Sequence, residues 1–483
     1  MMRRTALLIL LTLAFSAATA DRSSAEDKKF KPNILFIFAD DQAFDTLHSL
    51  GNDEIQTPNL DRLVASGVTF THAYNQGSWS GAVCVASRTM LNTGRFIWRA
   101  NKVYGSSEKE RAEGRFWSEH LKKAGYETYM TGKWHVRAKA HSAFDHTGHV
   151  RGGMPNQTGA GYNRPHEGKP DLWSPYDTKF GGFWKGGKHW SEVVGDDAEG
   201  FLKNATKSDK PFFMYLAFNA PHDPRQSPKE FVDKYPLSSI SVPKNYLPMY
   251  PFKDAIGCSK GLRDEKLAPF PRTEYAVKVN RQEYYAIITH MDVQIGRILD
   301  ALKKTGKADN TYIFFTADHG LAVGHHGLMG KQNLFDHSVR VPFMVNGPGI
   351  PKDKKLAGAI YLQDIMATSL ELAGIDKPEH VQFKSIMPVI KGQRKANYDA
   401  LYGAYLGVQR SVKMDGYKLI MYPKIKKALL FNVAADPHEM KDLAGEAASK
   451  PIMKKLYARF VELQKEVGDR MKLSGVYPEL AGS

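Results

Sequence analysis

Asp, His and Lys cluster at four places in this chain, each time at the end of an apolar run. Pro32 to Ala39 leads into Asp40-Asp41, and Thr311 to Ala317 leads into Asp318-His319-Gly320. Gly125 to Gly132 runs into Lys133-Trp134-His135, and Pro211 to Phe218 into Pro221-His222-Asp223-Pro224. An Asp-Asp pair by itself is an ordinary strand-end turn or helix cap. With Asp318-His319 closing a second run, the pairs read as parts of one site. The other chemical stretch is Cys84-Val85-Ala86-Ser87-Arg88, followed by Thr93-Gly94-Arg95. From residue type alone Cys84 is a reactive group or a buried structural thiol.

The elements that must position these groups are legible in the same runs. A continuous apolar run is a strand buried on both faces, as in a parallel sheet. Open α/β sheets place their sites at the C-terminal ends of such strands. Helical patterns lie between, such as Glu283 to Lys304, and Thr57-Pro58 opens another with Thr57 as cap. The fold class expected is α/β: a large, mostly parallel sheet between helices, with one polar rim. Gly148 to Trp190 differs, being rich in Gly, Pro and aromatics with little periodicity. Its Tyr162, Trp173, Tyr176, Phe183, Trp184 and Trp190 are candidates for stacking on sugar faces or for packing the loop itself. Lys391 to Lys395 reads as a linker. Beyond it, alternation around Leu401–Leu406, Arg410–Met414, Tyr417–Tyr422 and Ala428–Val433 predicts a small antiparallel sheet, closed by a helix from Ile452 to Val467. The expected division is a leader at 1–20, a main domain at 30–395 and a C-terminal subdomain at 396–483.

The leader has Arg3-Arg4, an apolar stretch from Ala6 to Phe15 and Ala18-Thr19-Ala20, the pattern of a cleaved secretory signal. No later stretch reads as transmembrane, so a periplasmic or extracellular location without stable membrane insertion is expected. With two cysteines, Cys84 and Cys258, the 483-residue chain has no disulfide framework, although one bridge is open to it. The formal net charge of +16 suits a polyanionic substrate or surface, and equally serves solubility or reflects compositional bias. Basic residues are spread along the chain without a nucleic-acid-binding motif, which excludes a nucleic-acid partner.

The Cys84-to-Arg88 signature, with the other motifs in the same order along the mature chain, resembles the type I sulfatases of the alkaline-phosphatase superfamily. The segment from Asp318 to Pro342 is similar to their iduronate-sulfatase and choline-sulfatase branch. The family usually has Pro where this chain has Ala86, and often Asn where it has His319. The resemblance implies that Cys84 is oxidised to Cα-formylglycine by a formylglycine-generating enzyme, which would preclude a bridge to Cys258. The hydrated aldehyde would attack sulfur, giving a covalent sulfated enzyme, and its second hydroxyl would then expel sulfate. Asp40, Asp41, Asp318 and His319, with the modified Cys84, would hold the metal. Three carboxylates and a neutral ligand suit Ca²⁺, with Mg²⁺ or another divalent cation open. Arg88 would hold the diol and metal region, Lys133 would neutralise sulfate, and His135 would be the base. His222 would be the acid to the leaving oxygen, and Lys331 a second sulfate ligand. His325, His326, His337 and Arg340 are further polar residues, of which His326 and Arg340 are taken as substrate contacts outside the sulfate site. The substrate expected is a sulfate monoester on a carbohydrate. Choline sulfate, phosphonate or phosphate monoesters, and non-catalytic binding of a sulfated glycan are the alternatives.

Overall fold

The structure, a computed structural model, describes residues 31–154 and 159–482. The leader at 1–20 lies outside the described residues. Five parallel strands form the centre of the main sheet: Thr311–Ala317, Asn33–Ala39, Phe212–Ala217, Glu127–Lys133 and His146–Arg151, side by side in that order. Phe343–Asn346 adds antiparallel to Thr311–Ala317, and Val68–Phe70 and Lys354–Leu356 complete an eight-stranded mixed sheet. Every residue of Asn33–Ala39 and Phe212–Ala217 is buried, as their unbroken apolar runs require. Phe36, Trp117, Phe213 and Tyr215 pack ring to ring on one face. Parallel pairing brings the C-terminal ends of these strands to one edge. That is how residues almost 280 positions apart become neighbours: Ala39 pairs with Ala317, immediately before Asp40 and Asp318.

The long helix covering this sheet spans Glu274–Lys304 and begins nine residues before the expected Glu283. Its true start is capped by Thr273, whose Oγ1 accepts the Ala276 N–H at 3.1 Å. Asn280 and Glu283 are buried polar positions in its first turns, which hid the apolar period. The helix Pro58–Ser66 forms as expected, but Thr57 does not cap it. The Thr57 hydroxyl accepts the His48 N–H instead, and Asp292 on the long helix accepts the N–H groups of Asn59 and Leu60. A carboxylate at the helix N-terminus is the stronger partner for those donors.

The C-terminal strands are Ala400–Tyr405, Gln409–Met414, Tyr417–Tyr422 and Lys427–Asn432, an antiparallel meander packed on the helix Lys450–Val467. A short strand from early in the chain, Gly77–Ser78, adds parallel to Ala400–Tyr405 as a fifth. In the Gly148-to-Trp190 region, residues up to Arg151 belong to an edge strand and Trp190 opens a helix. Trp173, Phe183 and Trp190 are buried, so these rings pack the loop; of the six aromatics only Tyr176 is exposed. Among the described residues no helix is long and apolar enough to cross a membrane.

Candidate active site

Cys84 sits in the first turn of the helix Val83–Thr93, which is buried along its whole length. Four residues on, Arg88 projects from the same face. It is fully buried beneath the strand ends, with Nε 3.0 Å from Asp318 Oδ2 and Nη2 3.6 Å from Asp40 Oδ1. Its Nη1 donates to the Lys133 carbonyl at 2.7 Å. A guanidinium this deep needs compensating partners; Asp318 and the carbonyl supply hydrogen bonds, and Asp40 supplies charge to Nη2, which has no hydrogen bond.

Asp40, Asp41, Asp318 and His319 form one buried cluster, with a potential ligand atom from each within 4.8 Å of the others. Asp41 has φ of 71°, left-handed backbone that a non-glycine residue rarely adopts. Its N–H donates to Asp318 Oδ1 at 3.1 Å, and the Tyr284 hydroxyl donates to its carbonyl. His319 Nδ1 is 2.9 Å from the Gly320 carbonyl, and its Nε2 faces Asp41 Oδ1 at 3.0 Å. Burial pushes the Asp41 carboxyl up to about 7, against the pull of Lys331. His319 is held at about 9 despite burial, because Asp318 and Asp41 favour its charged form. Asp40 Oδ1, Asp41 Oδ1 and His319 Nε2 are buried with no hydrogen-bond partner. Native interiors rarely leave three such atoms together without a hydrogen bond, even where ion-pair neighbours stand 3.0 and 3.6 Å away. Three clustered carboxylates, two of them with an oxygen that makes no hydrogen bond, are the donor set of a hard divalent cation, and the residues fit one.

The lysines close over this cluster. Lys133 Nζ donates to Asp40 Oδ2, and Lys331 Nζ lies 2.5 Å from Asp41 Oδ2. Both are raised above the ordinary lysine range by these carboxylates, which outweigh burial. Gly132 lets the strand end come this close: at its φ of 87°, a Cβ would meet the Ala217 carbonyl oxygen at 1.8 Å. His135 also has left-handed backbone, φ 53°, and its Nδ1 is 3.2 Å from Cys84 Sγ. Burial opposes ionisation of the Cys84 thiol, but Lys133, His135 and His319 outweigh it and hold it well below the usual range. Cys84 and Cys258 are both free and buried, so the open disulfide reading does not hold. His222 Nδ1 lies 2.6 Å from the Asp223 carbonyl, and its Nε2 is 3.8 Å from Asp41 Oδ2. Burial, then Lys331 and Lys133, depress its proton affinity well below the ordinary imidazole.

Cys84, Lys133, His135, His222 and Lys331 line one cavity of about 250 Å³. The structure thus brings these five together above the Asp40, Asp41, Asp318 and His319 cluster, with Arg88 beneath. It does not bring His326 or Arg340 there. His326 stacks on Phe335 at 3.9 Å and its Nε2 meets the Glu439 carbonyl at 3.0 Å. Arg340 lies over the Phe44 ring at 3.8 Å and donates to the Thr71 carbonyl, lining separate cavities. Their nearness in sequence to Asp318 suggested the site, but a turn of the chain carries them away from the rim. Sequence reasoning also missed Arg263, Asp264 and Gln332, which line the Cys84 cavity. Arg263 and Asp264 lie in a charged, aperiodic segment that reads as solvated surface, whereas Gln332 directly follows Lys331, the one signal that could have found it.

The chain resembles known proteins over almost its whole length. The relatives include a sulfatase of Formosa agariphila, 29% identical, covering 89% of this chain and 87% of that protein. An N-acetylglucosamine-6-O-sulfatase of Bacteroides thetaiotaomicron is 26% identical, covering 96% of this chain and 91% of that protein. The solved structure of a protein in complex with its substrate D-glucosamine-2-N,6-O-disulfate superposes with a TM-score of 0.71. It is 22% identical and covers 91% of this chain and 99% of that one, which establishes the shared fold. A model of the N-sulphoglucosamine sulphohydrolase C-terminal region matches residues 324–466. The Sulfatase family model matches residues 32–375, well over half of the chain, and the protein therefore belongs to the sulfatase family and is a sulfuric ester hydrolase.

Proposed function

We propose that this protein is an exported sulfatase that removes sulfate from a sulfated carbohydrate, with Cys84 matured to formylglycine. The observation that carries the reading is the cavity in which Cys84, two lysines and two histidines stand over a buried cluster of three carboxylates and an imidazole. The relatives support the substrate class, since one is named for a sulfated amino sugar and one was solved with another. Export rests on the composition of residues 1–20.

Asp40, Asp41, Asp318 and His319 would hold the cation, with Ca²⁺ the expected ion, and it would supply charge to the bound sulfate. The formylglycine would supply a nucleophile with its own route for releasing sulfate. Lys133 and Lys331, buried and charged, neutralise the sulfate oxygens and orient the ester. His135, 3.2 Å from Cys84 Sγ, is placed to take a proton from the group at that position. His222 and Lys331 face the same cavity from another wall, where a leaving oxygen needs a proton. Arg88 fixes the carboxylates and touches no solvent.

Mass spectrometry of the peptide ending at Arg88 tests the maturation, using protein made with a formylglycine-generating enzyme. The expected result is an aldehyde in place of the thiol, and sulfate release from an aryl sulfate faster than phosphate release from the matched aryl phosphate. An unmodified thiol, beside a known sulfatase matured in the same cells, would overturn the formylglycine reading. Faster phosphate release would reassign the site to phosphate or phosphonate esters.

A further inference from the structure

Three lysine and arginine side chains line the Cys84 cavity, and they differ in accessibility. The Lys133 and Lys331 side chains are each 1% exposed and engaged with Asp40 and Asp41, whereas Arg263 is 47% exposed. Arg263 is nonetheless firmly held. Its Nε lies 2.7 Å and its Nη2 2.6 Å from Asp264 Oδ1, and Nη2 is 3.8 Å from Asp223 Oδ1. Asp264 is itself buried and accepts from Gln332 Nε2 at 2.8 Å. One edge of the guanidinium is thereby pinned, 3.4 Å from His222 Nε2. Its other terminal nitrogen, Nη1, has no hydrogen-bond partner among the described residues. The neighbouring carboxylates keep Arg263 charged, Asp223 contributing most. A pre-oriented guanidinium with a free N–H pair is a receptor for a planar or tetrahedral anion.

Resting on the sulfatase reading above, we propose that Arg263 reads a second anionic group of the substrate, a carboxylate or another sulfate borne by the sugar that carries the scissile ester. The scissile sulfate has its own cations in Lys133 and Lys331, buried at the cavity floor. Arg263 is the remaining cation, and its exposure puts it toward the part of the substrate that stays outside. Met154 and Leu262, with the smaller Ala82, form the apolar lining, suited to the carbon face of the ring. The substrate class is therefore an acidic sugar sulfate, a sulfated uronate or a disulfated hexose, in preference to a neutral monosulfated one.

The test compares kcat/KM of the matured full-length enzyme on three esters sulfated at one position: a neutral hexose, its uronate and its disulfate. The wild type is expected to prefer at least one anionic ester over the neutral one by about tenfold or more. The preferred ester separates carboxylate from sulfate as the group read. Arg263→Gln is expected to bring that ratio to within about twofold of unity, and Arg263→Lys to keep part of it, as a charge without the fork. Normalising to the neutral ester removes any general effect on turnover, and melting temperatures report folding. If Arg263→Gln melts early, the Arg263→Lys ratio decides. A wild-type ratio near unity, or a ratio unchanged in the decisive variant, overturns the proposal. Equal loss on all three esters does so too, and assigns Arg263 to holding Asp264 and His222. Sulfate release without the Arg263-dependent ratio defeats this proposal alone. No sulfate release from any ester, aryl sulfate included, defeats the sulfatase reading of the site and this proposal with it.

Discussion

Two buried clusters in this protein use the same residue types to opposite ends. One is the Asp40, Asp41, Asp318 and His319 group under the Cys84 cavity. The other joins His325, His326 and His337 to Asp336, Lys418 and Glu439, where the C-terminal sheet meets the main sheet's loops. In the second cluster every imidazole nitrogen has a neighbour. His325 Nδ1 is 2.7 Å from Asn245 Oδ1, and His326 Nδ1 is 3.3 Å from His337 Nε2. His337 Nδ1 meets the Ser338 hydroxyl, and His325 Nε2 lies 3.5 Å from Asp45 Oδ2. Lys418 bridges Asp336 and Glu439 at 2.7 and 2.8 Å. In the first cluster, Asp40 Oδ1, Asp41 Oδ1 and His319 Nε2 are buried without a hydrogen bond and have only ion-pair neighbours, His319 Nε2 with Asp41 Oδ1 at 3.0 Å and Arg88 Nη2 with Asp40 Oδ1 at 3.6 Å. A satisfied polar network fixes structure, and an unsatisfied one is incomplete without a ligand. Residue type alone does not tell the two apart; the hydrogen-bond inventory does.

The sharpest way to break this contrast is to remove the group that each cluster depends on. Cys84→Ala is expected to lower sulfate release by about 10³-fold or more while the melting temperature holds, since the nucleophile goes and little core volume does. Retention of activity in a folded Cys84→Ala protein would remove Cys84 from the chemistry. Lys418→Met should do the reverse. Stranding Asp336 and Glu439 in the interior costs about 3–5 kcal/mol of stability, read by denaturant unfolding. The kcat/KM of the protein still folded should stay near wild type, and a large fall in it would join the two clusters functionally.

Chelation gives a smaller effect. Stripping divalent cations should lower the melting temperature, and Ca²⁺ should restore it. A cation at a hundred times its Kd contributes about 2.7 kcal/mol. Asp318→Asn should abolish that response, whereas an unchanged melting temperature on chelation of the wild type would argue against a stabilising cation. An effect of comparable size is in pH dependence. Burial pushes His326 down to about 4, only partly offset by the Glu439 carbonyl, and His337 also lies well below the ordinary imidazole. A histidine whose folded pKa is depressed takes its proton first in the unfolded chain. Stability should therefore fall as pH drops from about 6.5 toward 4, by up to about 3 kcal/mol for His326 alone. His326→Asn, which tolerates the left-handed backbone at φ 52°, should flatten that part of the profile. An unaltered slope would locate the acid sensitivity elsewhere.

Much of this organisation was legible before the fold was known. The apolar runs ending at Ala39, Phe218 and Ala317 announce buried parallel strands, because only a strand covered on both faces tolerates a near-continuous apolar run. The C-terminal meander was legible for a related reason, since alternation marks a sheet with one covered face. Where the reading slipped, polar residues were buried. Asn280 and Glu283 blurred the start of the long helix, and Asp292, distant in sequence, took the capping role expected of Thr57.

The site divides along the same line. Strand ends carry their residues to the rim wherever the strand is recognised, so Asp40, Lys133, His222 and Asp318 follow from local pattern. The order of motifs around Cys84 adds the family. Only the tertiary structure separates His326 and Arg340 from that rim, although they stand closer in sequence to Asp318 than Asp40 does. Only it brings in Arg263 and Asp264, from a segment with no periodicity to read. Sequence determines which faces must be buried, because burial is set by local pattern and solvation. Which distant side chains then share a cavity depends on how loops close over the sheet, and no local pattern encodes that.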